Sequence, residues 1–277
     1  MKKIKSNKVD FTINNLPKNR REQCKDLLKN RFLTILVTGL FLLLFFIPYF
    51  LTILYKDSAL IVIQNGPEAE IVTRTFSLNI IYNILSLISL IILFVGISGI
   101  LKIYKQLIYN EPLFLKEDFI DGIKENFKSL VLIVILIWVF NFMEYLISFS
   151  FQESMFGYIP LGVNYALIFP IFTVMIYLSS VYTNSFFVNL KSSIIIYFKH
   201  FPSIILGFVF LFGFFFLRYI PNTFIKYISI IIGITIVFPL AIFINYENYI
   251  NIFDIDINRV QFPNFYKKGL KYDKSNK

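Results

Sequence analysis

Glu144, in "NFMEYLISF", is the single carboxylate inside a long apolar run, and Asn141 and Tyr145 lie on the same helical side at i−3 and i+1. An ionisable group in hydrocarbon is costly, so it marks either proton or ion chemistry or a structural hydrogen bond. Glu144 lies near the outer end of its run, within reach of interfacial water, which favours the hydrogen bond. Asp254-x-Asp256 is similar to the metal-binding acids of some sugar-transferring enzymes, but no nucleotide-binding domain accompanies it. One histidine, His200, and one cysteine, Cys24, cannot assemble a Ser-His-Asp or Cys-His set. They also provide neither a disulfide nor a thiolate or histidine-rich metal centre. Walker A and dinucleotide glycine motifs are absent. The expectation is therefore of no enzyme and no cofactor.

The elements that would position these groups are membrane spans. The chain has 277 residues, 57% of them hydrophobic and only 16% charged, with a mean hydropathy of +0.68. Soluble domains average about 25% charged residues. The apolar residues come in blocks, and about 20 residues cross roughly 30 Å of hydrocarbon. Six spans follow: Phe32 to Tyr55, Phe76 to Leu101, Leu130 to Phe149, part of the uncharged run Tyr158 to Leu190, Phe201 to Leu217, and Tyr227 to Tyr246. The fifth is the shortest and contains Pro202, Gly207 and Gly213, so a re-entrant course is its alternative. The first span is too long for a signal-peptide core and reads as an uncleaved anchor.

The basic residues set the orientation. With both termini inside, 23 of the 27 Lys and Arg residues fall in the cytoplasm and 4 outside. A re-entrant fifth span would leave 19 inside and 8 outside. The net charge of +10 is thus mainly a topology signal and an attraction to anionic lipid. No groove-reading motif or basic-aromatic platform points to nucleic acid. The abundance of Ile, Phe, Asn, Lys and Tyr fits an AT-rich bacterial genome. The predicted domains are a basic cytoplasmic segment 1–31, a six-span membrane domain 32–246 and a cytoplasmic tail 247–277. The outer loop 56–75, with Asn65-Gly66-Pro67 between two β-branched runs, reads as a connecting loop or a short hairpin.

One segment breaks the apolar pattern. Pro112 to Leu130 carries three basic and four acidic residues together with helical periodicity. At 100° per residue, Leu115, Phe119, Ile120, Ile123, Phe127 and Leu130 share an arc of about 140°. Glu117, Asp118, Asp121, Lys124, Glu125 and Lys128 lie opposite, and Lys116 and Asn126 fall within the apolar arc. Residues 115–126 are therefore predicted as an amphipathic cytoplasmic helix leading into the third span. Its mixed charge suits a protein partner better than anionic lipid. Phe119 and Phe127 would anchor it to the membrane side, and Glu117, Asp118, Lys124, Glu125 and Asn126 would meet the partner. The plainer alternative is a solvated connector.

The stretch "GISGILKIYKQLIYNEPLFLKEDFIDGIKENFKSL" resembles the YesL-like family of bacterial integral membrane proteins, through Asp118-Phe119 and Lys124-Glu125-Asn126. Looser matches lie in "FKHFPSIILG" and in the last span. The long N-terminal segment, the first outer loop and the tail depart from the family pattern. The resemblance implies a membrane accessory of a carbohydrate-uptake system, in the bacterial cell membrane, whose partners are the bilayer and another membrane protein. The competing expectation is a small transporter or channel. Asn141, Glu144 and Tyr145 would then line its pathway, with breaks at Pro48, Pro170 and Pro239.

Overall fold

The computed structural model describes residues 16–151, 154–213, 217 and 220–271. Residues 1–15 of the predicted basic segment, 214–216, 218 and 219 around the end of the fifth span, and 272–277 of the tail lie outside the described residues. All regular structure among the described residues is helical. The first three helices are long: α1 Arg20–Gln64, α2 Glu68–Tyr109 and α3 Leu115–Ser150. The next stretch runs through α4 Ile159–Val163 and a π-helical turn Asn164–Ile168 into α5 Phe169–Val181. Helices α6 Phe186–Lys199 and α7 Phe201–Phe212 meet at a 104° bend. The last stretch is α8 Thr223–Ile232, a π turn Gly233–Val237, α9 Phe238–Phe253 and a final π turn Asp254–Asn258.

Five of these stretches are long and apolar enough to cross a membrane, or six if the bent pair α6–α7 counts as one. Neighbours in sequence pack antiparallel, as paired hydrogen bonds show. Between α1 and α2, Thr52 meets Ser89 at 2.8 Å and Thr38 meets Tyr104 at 2.7 Å. Between α2 and α3, Trp138 Nε1 donates to the Asn83 carbonyl at 2.7 Å and Asn126 to that of Ser98 at 3.2 Å. The chain also closes on itself. Lys226 bonds Asp57 at 2.6 Å at one end of the bundle, and Arg20 bonds Asp254 at 2.7 Å at the other. The two described ends of the chain therefore lie together, and the Lys271 amide donates to the Pro17 carbonyl at 2.9 Å.

Two contacts locate the ends of the fifth predicted span. His200 bonds Asp256 at one end of α8–α9, and Ser203 meets Asn248 at 3.1 Å as α7 sets off along α9. Lys226 is at the far end of that same stretch. His200 and Lys226 thus lie at opposite ends of the α8–α9 stretch.

One expectation is corrected. The outer loop 56–75 is neither hairpin nor coil: α1 runs on to Gln64, α2 starts at Glu68, and only residues 65–67 turn. Helical hydrogen bonding simply propagates from the two spans, where an isolated hairpin would be marginal. The helix of the fourth span covers only part of the uncharged run Tyr158 to Leu190, as expected. It ends at Val181, and the chain passes through extended backbone at Tyr182 and restarts as helix at Phe186.

Pro48, Pro170 and Pro239 each have neighbouring side chains or backbone close by. A proline strips the hydrogen bond from the carbonyl four residues before it, which in hydrocarbon must find another partner. Pro170 leaves the Ala166 carbonyl, which accepts the Tyr197 hydroxyl. Pro239 leaves the Thr235 carbonyl in the π turn, and α1 passes so close there that only Gly39 fits. The Pro239 carbonyl itself accepts from Tyr104 at 3.0 Å. At Pro48, Thr52 returns a hydrogen bond to the proline carbonyl at 2.9 Å. A Cβ on Gly39 would collide with the Thr235 carbonyl oxygen and reach Pro239 Cγ at 2.9 Å, whereas one on Gly162 meets nothing. Gly39→Ala is accordingly expected to destabilise the protein by about 1–3 kcal/mol through overpacking. Gly162→Ala should be neutral or slightly stabilising, and thermal unfolding in detergent micelles compares the two.

Candidate functional site

The polar chemistry of the molecule gathers where both described ends of the chain meet. Helix α1 leaves helical geometry at Arg31, just before its apolar run begins. The leg Arg20–Asn30 carries the polar residues. Asn19 caps it, accepting the Glu22 amide at 2.9 Å. Arg20 then sits inside the protein, 4% exposed, facing Asp254 at 5%. Its Nε and Nη2 both donate to Asp254 Oδ2, at 3.1 and 2.7 Å. Nη1 donates to Gln23 Oε1 at 2.7 Å and to the Lys268 carbonyl at 3.0 Å. The second carboxylate oxygen of Asp254 accepts from Asn258 at 2.9 Å. Tyr182 in turn donates to Asn258 Oδ1 at 2.6 Å. Gln23 ties in the end of α2 through the Ile108 carbonyl at 2.7 Å.

A buried ion pair is stable only when its remaining donors and acceptors are met, and here they are. One guanidinium thus joins the start of α1, the end of α2, the last π turn and the tail. The described part of the tail folds back over this end of the bundle. Phe262 stacks on Tyr182 at 5.0 Å, Phe265 lies 5.7 Å from Tyr109, and Lys268 bonds Glu111 at 2.6 Å. Asp254 and Asp256 do not converge on one point. Asp254 is committed to Arg20, and Asp256 to Lys199 at 2.5 Å and His200 at 2.7 Å.

The charged segment before the third span docks onto α2. It forms the first turns of α3 without a break at Asn126. Asp118 does not face outward as expected. It is buried, accepts from Gln106 at 2.6 Å and caps the helix start through the Phe114 amide at 2.5 Å. Phe119 is not a membrane anchor either. At 8% exposure it packs on Gly99 and between Phe41 and Phe45, with ring centroids 5.1 and 5.7 Å away. Asn126 is buried on the Ser98 carbonyl, Phe127 is half-buried, and Glu125 pairs with Lys102 at 2.8 Å while staying exposed. Glu117 and Lys124 face outward, as expected.

The reason is Gly122. Its Cβ position would meet the Ser98 carbonyl at 2.9 Å and Gly99 Cα at 3.0 Å, so the helices touch backbone to backbone there. Close approach at Gly99 and Gly122 sets the contact face. That face is rotated by about 70° from the arc drawn through the large apolar residues.

The expected intramembrane trio is also separated. Glu144 accepts from Asn164 at 2.8 Å, and Asn164 also donates to the Phe140 carbonyl at 3.1 Å. Asn141 is exposed, and the Tyr145 ring packs by Phe76 and Phe149. Sequence reasoning missed Arg20, Gln23, Asn164 and Asn258. The available signal was Asp254, an acid in the helical register of an otherwise apolar face, which the D-x-D pattern disguised.

No family model, curated protein or solved structure matches the chain. What the structure defines is a class: an all-helical protein with the helix lengths and apolar composition of a multi-pass membrane protein.

Two outcomes test the polar end. Arg20→Met strands a buried carboxylate and is expected to cost about 3–5 kcal/mol, much of it recovered in Arg20→Met/Asp254→Leu, which buries no charge. Chemical unfolding in micelles would measure both. Cys24 lies eight residues before the apolar run of α1, partly buried against Glu247. Burial, then the hydrogen bond and the negative charge of Glu247, hold its thiol above the ordinary range. Because the thiolate is the reactive form, Cys24 should alkylate slowly at pH 8 in the folded protein and rapidly once unfolded. Glu247→Gln should speed the folded-state reaction, as followed by mass spectrometry.

Proposed function

We propose that this chain is a six-span protein of the bacterial cell membrane with both termini in the cytoplasm. Its role is that of a non-enzymatic accessory or regulatory partner of another membrane complex. The distribution of Lys and Arg supports the orientation. The even number of passes is supported by the meeting of both described chain ends beside Arg20 and Asp254.

The observation that carries the docking role is the outward stripe of α3. Once Asp118, Phe119 and Asn126 are used inside, Glu117, Ile120, Asp121, Lys124 and Lys128 remain exposed. At 100° per residue they lie within an arc of about 100°. Ile120, 41% exposed, sits among these charges. An apolar anchor ringed by charges of both signs suits a protein surface better than a lipid one. The likeness to the YesL-like family supports a partner in carbohydrate uptake. Within the Asp118-Phe119 and Lys124-Glu125-Asn126 motifs that carry this likeness, Asp118, Phe119, Glu125 and Asn126 clamp α3 to α2.

A second reading, a small transporter or channel, draws on the Glu144–Asn164 pair beside a π turn. The two readings separate cleanly. With a photo-reactive residue at Ile120 in native membranes, docking predicts one abundant cross-link to another membrane protein. Charge reversal at Asp121 and Lys124 together should abolish that cross-link, and Glu144→Gln should leave it intact. Cross-links confined to lipid or to this chain would sink the docking reading. Loss of ion or substrate flux in Glu144→Gln would favour transport.

A further inference from the structure

Helix α6 has an unusual distribution of side chains. Phe187, Val188, Lys191, Ile194, Ile195 and Phe198 all face outward. At 100° per residue they occupy an arc of about 120°. Phe187 is 78% and Phe198 64% exposed. Two of its polar side chains turn inward: Asn189 donates to Ser179 at 3.1 Å, and Ser193 bonds back to the Asn189 carbonyl at 2.8 Å. A helix resting on a protein in water would show the reverse pattern.

The ends of α6 fix its course. Near its start, Asn189 bonds Ser179, next to Ser180, whose carbonyl accepts from Lys105 and whose hydroxyl meets Tyr246. At its finish, Lys199 and His200 hold Asp256, two residues from the Arg20–Asp254 pair. Both ends are therefore tied to the same polar end of the bundle, and α7 departs from it at 104°. Fourteen residues make a helix of about 21 Å, and both of its ends are held at one end of the bundle. The outward apolar arc continues into Leu206, Val209 and Phe210, which are exposed on α7.

We infer that α6 is an in-plane membrane helix whose outward face is buried among the lipid acyl chains of the cytoplasmic leaflet. The inference rests on the membrane reading above. Lys191, at the centre of the arc, lays its stem along the apolar face and lifts its ammonium to the headgroup layer. Lys199 is held at the edge by Asp256, so apolar area dominates the contact and anionic lipid is not required. Helix α6 thus acts as a float at the surface, from which α7 turns down into the bilayer.

The test uses the unmodified chain in phosphatidylcholine vesicles that contain a lipid with a photo-reactive group in its acyl chain. Trypsin cuts after Lys191 and Lys199 and after Arg31 and Lys56, releasing Ser192–Lys199 from α6 and Phe32–Lys56 from the first span. Comparable labelling of both peptides is expected, with the α6 label on Ile194, Ile195 or Phe198. A labelled Phe32–Lys56 beside an α6 peptide several-fold weaker would overturn the inference alone. Absence of label from both would overturn the membrane reading with it. A spin label at Ile195 or Phe198 in a Cys24→Ser chain gives an independent readout. Greater access of oxygen than of a water-soluble nickel chelate is expected. The opposite order would place the face in water, and exclusion of both quenchers would show that a protein surface or a second copy covers it. Either result would refute lipid contact.

Discussion

Arg20 and Asp254 stand 234 residues apart and form one buried pair, and the architecture of the polar end depends on it. A guanidinium and a carboxylate taken out of water must satisfy one another completely, because any unmatched donor or acceptor is costly in a low-dielectric interior. Gln23, Asn258, Lys268 and, through Gln23, the last turn of α2 are drawn in for that reason. The pair cannot form unless α1 and α9 run antiparallel in one register and the tail turns back over them. It therefore converts a chain of sequential hairpins, each stable by local contact, into a closed bundle.

Backbone satisfaction is the second organising constraint. Three prolines lie within apolar runs: at Pro170 the freed Ala166 carbonyl accepts from Tyr197, while Thr52 and Tyr104 bond the carbonyls of Pro48 and Pro239 themselves. In hydrocarbon such breaks are tolerated only where neighbours repair them. Prolines at these positions therefore serve helix packing here, and the π turns before Pro170 and Pro239 absorb the distortion. The buried tyrosines add to the same effect. Tyr177 stacks on Tyr246 and Tyr249 between α5 and α9, filling space, and the Tyr246 hydroxyl accepts from Ser180 at 3.1 Å.

Small residues decide which surfaces remain for a partner. Gly99 and Gly122 bring α2 and α3 into backbone contact, with Phe119 folded over the seam. The large apolar residues of α3 are consequently not all inside, and Ile120 emerges among charges. Packing in a membrane protein is driven by shape more than by apolar area, since lipid is as apolar as leucine. The proposed docking stripe and the inferred lipid-facing helix both rest on that same rule.

How much of this could be read from the sequence differs by feature. Block hydropathy determined the helical class and five of the apolar stretches, because bilayer thickness fixes the length of apolar chain a span requires. The helix beginning at Leu115 was legible from its period, to the residue. Which of its faces turns inward was not legible, because glycine contacts outweigh the apolar arc and no one-helix projection contains the partner. The separation of α6 from α5 was partly legible, since the run is too long for one span and Ser179, Ser180, Thr183, Asn184 and Ser185 cluster around the break at Tyr182–Ser185. Arg20 and Asp254 were each visible as residues but not as a pair. Local sequence dictates helices and their lengths, whereas a contact between residues 234 positions apart exists only once the bundle has closed and removed both charges from water.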